Sequence, residues 1–165
     1  MKNIEEEKCK FCSIKDIEEI MYNDFLLERC SKCSWTRIPM FKFRNFILQY
    51  MHHKNYCKAK SVDYLEQLDD KEKKIALQFI SEFDFRNWKA SGPNEKTFCN
   101  FCSDPLSVLE HPCCKGFKVY FCNYCKSVYF KIPEFEKAAE ALIVRARRKQ
   151  SIFWFIFFLK ELLFG

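Results

Sequence analysis

Eight cysteines set as four C-x-x-C pairs constrain this chain more than any other feature. Cys9-x-x-Cys12 and Cys30-x-x-Cys33 have 17 residues between them, and Cys99-x-x-Cys102 and Cys122-x-x-Cys125 have 19. A C-x-x-C closes a tight knuckle with both sulfurs facing inward, and two knuckles at the ends of paired strands complete a tetrahedral thiolate site. A module of roughly 40 residues has too little core to fold alone, so the metal supplies much of its stability. The spacing predicts two structural Zn2+ ions per chain, on Cys9, Cys12, Cys30 and Cys33 and on Cys99, Cys102, Cys122 and Cys125. Four thiolates also suit a mononuclear iron, the electron-transfer alternative.

The other cysteines fit this better than a disulfide framework. The total is 11, an odd number, and the N-terminal "MKNIEEEKCKF" lacks the apolar stretch of a secretory signal. Both point to a reducing, cytoplasmic setting in which paired cysteines serve metals. Cys57, Cys113, Cys114, His52, His53 and His111 remain as spare ligands. His53 and Cys57 are four apart, the spacing of a shared helix face, and "HPCC" at 111–114 offers a cysteine that swaps into the second site.

The spacers read as hairpins. "EEIMYNDFLLERC" (18–30) has an apolar run, an Asn-Asp turn signal at 23–24 and a second run into the cysteines. "SVLEHPCCKGFKVYFC" (107–122) repeats this around "PCCKG". After Cys125, Tyr129 is placed to pack on the knuckle, Pro133 and Glu134 suit a helix start, and Phe135, Ala138, Ala139 and Leu142 share one helix face.

On these residues the second half resembles the transcription factor IIB-type zinc ribbon domain. That family runs C-P-x-C, hairpin, C-P-x-C-G-G-x-W-L-D-x-G-E-L. Tyr129 stands at its Trp, Phe130 at its Leu, Pro133 at its Gly, Glu134 at its Glu and Phe135 at the last Leu. The first half keeps the four cysteines but has Arg37 at the aromatic position, with Trp35 two residues early. Both halves lack the usual knuckle Pro and Gly. The resemblance covers about half the chain and implies a fold, with no catalytic residues.

Between the ribbons, "PMFKFRNFILQYMHHKNY" (39–56) places Met40, Phe43, Phe46, Ile47 and Tyr50 on one helix face and Lys42, Asn45, Gln49 and His53 opposite. Ser61 is a candidate cap for a short helix ending near Leu68, and Asp70 for a second carrying Ile75, Phe79, Ile80 and Phe83. "ASGPNE" (90–95) reads as a linker. Charge is segregated: Arg29–Val62 holds eight Lys or Arg and no acid, and Asp63–Asp84 holds seven acids and three lysines. Lys42, Arg44, Lys54 and Lys58 are candidate nucleic-acid or partner contacts, since cations among rings suit phosphates and bases. The competing reading makes the rings core and the cations a solvated face turned to the acidic helix.

The C-terminal "RARRKQSIFWFIFFLKELLFG" (145–165) follows four cations with eight apolar residues, and its last 14 residues are too few for a bilayer span. The tail is therefore expected to be buried in the fold or a dimer, at a membrane surface or on a different protein. Arg145, Arg147, Arg148, Lys149, Trp154, Phe155 and Phe158 are candidate membrane or partner contacts. The expected fold class is α+β: a first zinc ribbon (1–38), a helical linker segment (39–89), a second zinc ribbon (90–131) and a C-terminal helix with a basic, aromatic tail (132–165). The expected function is a non-enzymatic intracellular interaction module for a protein or membrane-surface partner, peripheral at the inner membrane surface. It takes no small-molecule substrate, and homo-oligomerisation runs through the C-terminal helix. Nucleic-acid binding through 29–62 is the alternative.

Overall fold

The computed structural model describes residues 9–13, 16–146 and 148. It is an α+β fold in which seven antiparallel strands form one sheet: β1 (Ile17–Tyr22), β2 (Phe25–Cys30), β3 (Trp35–Pro39), β4 (Lys89–Phe98), β5 (Pro105–Glu110), β6 (Lys118–Cys122) and β7 (Ser127–Lys131). The spatial order is β1-β2-β3-β7-β6-β5-β4. The first half therefore contributes three strands and the second four, with β4 on the outer edge, and the halves join where β3 pairs with β7.

Chain positions 92 residues apart correspond from the second knuckle onward, as Cys33 does to Cys125. Arg37 corresponds to Tyr129, and these two are register partners. A pseudo-two-fold axis thus passes through the Arg37–Tyr129 pair. Each third strand runs straight into a helix at corresponding residues, α1 (Met40–His53) after β3 and α3 (132–146) after β7.

Strand alternation sorts the side chains. Ile38, Val119, Val128 and Phe130 point to the helix side, where Phe43, Phe46, Phe135, Ala139 and Leu142 complete the main core. Tyr120, Cys122 and Tyr129 point to the opposite face and form a second, smaller core with Cys99, Leu106, Phe11 and Trp35. Helices, sheet and cysteine knuckles form three layers.

The first hairpin turns through Asn23 and Asp24, both at positive φ, the two-residue geometry that suits the strands' twist. In the intervening segment, Ser61 precedes a 3-10 helix over Val62–Gln67 without a side-chain cap bond. The cap of α2 (Asp70–Glu82) is Asp69, one residue earlier than Asp70, and its carboxylate accepts from the Glu72 N–H. Phe79 and Ala76 are the buried residues of α2.

The stretch "ASGPNE" is not a linker. It lies within β4, whose rungs include Ala90↔Leu109, Pro93↔Ser107 and Asn94↔Leu106, with register shifts on both sides of Pro93 and Asn94. An edge strand with bulges tolerates a proline and a glycine that a central strand would not.

Candidate metal centres

The four knuckles share one construction. The residue after each second cysteine, Ser13, Ser34, Ser103 and Lys126, has φ between 55° and 62°. Its N–H returns to the carbonyl of the first cysteine, for example Ser34 to Cys30 at 2.9 Å and Lys126 to Cys122 at 3.0 Å. That left-handed residue closes the turn. Within the second site the Phe101 N–H points to Cys99 Sγ at 3.4 Å and the Cys125 N–H to Cys122 Sγ at 3.5 Å.

The structure gathers Cys9, Cys12, Cys30 and Cys33 into one cluster and Cys99, Cys102, Cys122 and Cys125 into another, with the sulfurs of each within 4.8 Å of one another. Contacts of 3.5 Å (Cys9–Cys33), 3.6 Å (Cys12–Cys30) and 3.4 Å (Cys99–Cys125 and Cys102–Cys122) are too long for disulfides. Tetrahedral bonds of about 2.3 Å to a zinc ion would set sulfurs about 3.8 Å apart, so a small cation fits with little adjustment. All 11 cysteines are free thiols.

Hydrogen bonds within each cluster favour a thiolate that burial opposes. Burial opposes charge on Cys125, but hydrogen bonds from Ser127, Cys99 and Cys122 outweigh it and lower the thiol to about 7. Burial likewise opposes charge on Cys30, yet bonds from Cys33, Lys32 and Cys12 lower it to about 7. Cys9, Cys33, Cys99 and Cys122 are raised, chiefly by burial. A cation in the cluster supplies the charge those thiolates need.

Among the described residues, the second cluster has side-chain support that the first does not. The buried Tyr129 hydroxyl lies 3.1 Å from Cys99 Sγ and accepts from the Asn100 N–H at 3.1 Å. Burial raises its pKa, so the phenol keeps its proton to donate to the sulfur. Arg37 Nε donates to Ser127 Oγ at 3.1 Å, and Ser127 Oγ lies 3.1 Å from Cys125 Sγ. Burial opposes the Arg37 charge, but Glu28, whose carboxylate accepts from it at 2.6 Å, more than restores it.

The two clusters also touch. The Lys10 N–H donates to Asn100 Oδ1 at 2.8 Å, linking the first knuckle of one site to the first knuckle of the other. Phe11 stacks on Trp35 at 4.5 Å and meets Tyr120 and Tyr129 edge-on or tilted at 5.3 and 5.6 Å. Across the axis the Arg37 guanidinium lies 4.8 Å above the Phe101 ring. Phe11, Asn100 and Ser127 were not readable as site residues from sequence. Arg37 was signalled only by sharing the position of Tyr129, four residues after its knuckle.

The spare ligands stay apart from both clusters. Cys113 and Cys114 sit at the far tip of the β5–β6 hairpin. The rung nearest the cluster is Leu106↔Cys122 and the last before the tip is Glu110↔Lys118, a separation of about 13 Å along the strands. No swap into the second site occurs. His111 is buried there; its Nε2 lies 3.1 Å from the Glu82 carbonyl, and its Nδ1 accepts from the Cys113 and Cys114 N–H groups at 3.1 Å. His53 and Cys57 share no helix face, because α1 ends at His53. His53 pairs with Asp24 at 3.1 Å, and Cys57 is buried. Among the described residues these two four-cysteine groups are the metal-competent ones.

The basic block is divided. Lys58 pairs with Glu72 of α2 at 2.9 Å and Lys54 with Glu140 of α3 at 3.7 Å, while Lys42 and Arg44 are exposed on α1. Of the C-terminal candidates, Arg145 and Arg148 are described, and Arg147, Lys149, Trp154, Phe155 and Phe158 lie outside the described residues. Among the described residues no helix is long and apolar enough to cross a membrane. Comparison with family models, with curated proteins and with solved structures finds no match to this chain.

Proposed function

We propose that this protein is a non-enzymatic interaction module in which two zinc ions are purely structural. The observation that carries the reading is the pair of closed sulfur quartets built into one sheet. Four protein ligands fill a tetrahedral ion and leave no position for a substrate or an activated water. Zinc is favoured over iron because a redox-silent ion suits a site whose work is to hold knuckles together. The knuckle layer then offers a macromolecular partner a rigid surface. The zinc-ribbon type is that of the transcription factor IIB-like domain, on the residues around Cys122 to Phe135. The setting proposed is cytoplasmic, with a protein or membrane surface as partner and the basic, aromatic C-terminal segment as the part that reaches it or a second copy of the chain.

Elemental analysis of the purified full chain tests the metal reading: a colourless protein holding about two zinc per chain is expected, and a coloured iron protein overturns it. Flotation with anionic liposomes, comparing the full chain with one ending at Gln150, tests the membrane reading. A full chain that stays at the bottom of the gradient removes the membrane as partner.

A further inference from the structure

The knuckles of the second cluster share a pattern that the first cluster lacks, Cys99-Asn-Phe-Cys102 and Cys122-Asn-Tyr-Cys125. Both aromatic residues face water: Phe101 is 63% exposed and Tyr124 is 75% exposed. Their counterparts in the first cluster are different. Phe11 is packed against Trp35, Tyr120 and Tyr129, and the position of Tyr124 is taken by Lys32. A third ring, Phe41, is 80% exposed at the first turn of α1. It neighbours the same knuckle, because the Met40 N–H donates to the Lys126 carbonyl at 2.8 Å.

None of these rings serves either core, and three exposed rings on the second knuckle pair and the strand-to-helix turn beside it offer a surface for recognition. Two lysines near them are uncommitted, whereas Arg37 over Phe101 is paired with Glu28. Lys126 and Lys42 have no carboxylate within ion-pair distance among the described residues; Lys42 leans over Phe41 at 5.9 Å and Lys126 over Phe121 at 5.8 Å. This separates them from Lys54 and Lys58, whose charges are already answered by Glu140 and Glu72. Arg37 covers one face of Phe101 and leaves the other open.

Exposed rings beside unpaired lysines match one ligand chemistry closely. A single strand of nucleic acid presents bases with open π faces and a phosphate beside each, whereas a duplex hides those faces. An acidic peptide would answer the cations and leave the rings bare. We propose that the second knuckle pair and the start of α1 bind single-stranded nucleic acid. Bases stack on Tyr124, Phe41 and the open face of Phe101, and phosphates lie on Lys42 and Lys126. This rests on the interaction-module reading and gives that module a nucleic-acid partner besides the protein or membrane surface proposed above, and it moves the contact away from the paired lysines of the basic block.

The test is fluorescence anisotropy of a labelled single strand of about 12 nucleotides with the zinc-loaded full chain, across a salt series. Binding at low salt that weakens steadily with salt is expected. Tyr124→Ala and Phe41→Ala should each weaken it about tenfold. Lys42→Gln with Lys126→Gln should flatten the salt dependence by about two phosphate contacts, and Lys58→Gln should change nothing. Zinc content is measured on every variant; if Tyr124→Ala loses metal, Phe41→Ala, outside both clusters, carries the test. No binding at low salt, binding that survives both ring substitutions, or a preference for duplex overturns the inference. A protein crosslinked through position 124, with no nucleic-acid binding, overturns it too but leaves the interaction-module reading standing. That reading fails separately, if the purified chain carries no zinc.

Discussion

The two halves of this protein are built on one plan and put to different uses. In each, a hairpin between two knuckles leads to a third strand and then a helix, at positions that correspond residue for residue from Cys33 and Cys125 onward. Both helices must cover the same face of the same sheet, so they cannot both be bulky. The first carries Phe46, Ile47 and Tyr50, and the second answers at the corresponding positions with Ala138, Ala139 and Leu142. On the opposite face the roles reverse. The first half tucks its knuckle ring, Phe11, against the second half, whereas the second half leaves Phe101 and Tyr124 outside. Once two halves of one plan share a core, each is free to lose what the other supplies.

The largest test of that sharing is a ligand substitution in one half only. Cys122→Ser removes a fully buried sulfur of the second cluster, where a structural zinc site is worth about 10–16 kcal/mol in small peptides. Because β7 is the hydrogen-bonded neighbour of β3, the first half should unfold with the second. Circular dichroism and zinc content should then show one loss of structure and both metals released. A variant that keeps one zinc and half its strand signal would separate the halves.

Next in size is Phe43→Ala. Phe43 is buried at the helix crossing, with Phe46, Phe83, Phe85, Phe130 and Phe135 around it at ring distances of 5.3 to 6.5 Å. Truncating it should cost about 3–5 kcal/mol. Phe135 is its counterpart in the other half and shares Phe46, Phe83 and Phe130 with it, so Phe135→Ala should cost a similar amount. Denaturant titration of both checks this; a large inequality would mean that one helix alone organises the core.

The clusters themselves should differ in grip. Tyr129→Phe removes the hydroxyl beside Cys99 and strands the Asn100 N–H, for about 1–3 kcal/mol. Losing such an outer contact commonly weakens metal binding by about 10- to 100-fold. Competition against a chelator should show one zinc of the two leaving earlier than in the parent, the one held by the second cluster. Equal loosening of both would show that Tyr129 acts through the shared sheet instead.

Much of this architecture is local and was therefore legible. The C-x-x-C spacing, the Asn23-Asp24 turn, the apolar face of α1 and the buried stripe Phe135, Ala138, Ala139 and Leu142 all lie within short windows, and the structure has each of them. The β3–β7 pairing joins residues about 90 positions apart, and nothing in "WTRIP" or "SVYFK" names its partner. The same limit hid the packing of Phe11 on Tyr120 and Tyr129 and the bond that Ser127 accepts from Arg37, both of which cross between the halves. "ASGPNE" misled for a different reason: Gly and Pro break central strands, and β4 is an edge strand. The missing knuckle glycines were visible as a departure, and their consequence is physical. Ser34 and Lys126 hold positive φ with a side chain attached. Ser34→Gly and Lys126→Gly should therefore raise stability, each by up to about 1 kcal/mol, read as a shift in the denaturation midpoint.

The smallest effect concerns the open faces of the two hairpins. Met21 and Leu26 are register partners on the knuckle face of the first, 68% and 53% exposed, and at the corresponding rung of the second stand Glu110 and Lys118, 4.0 Å apart. Exposed pairs of either kind contribute little. Copying the second half into the first, as Met21→Glu with Leu26→Lys, should leave stability within about 0.5 kcal/mol and give a cross-strand ion pair that weakens with salt. A loss well beyond that would mean the methionine and leucine are covered by something in the intact chain. The first half would then have a docking face of its own, and the division between a half that packs and a half that presents would need redrawing.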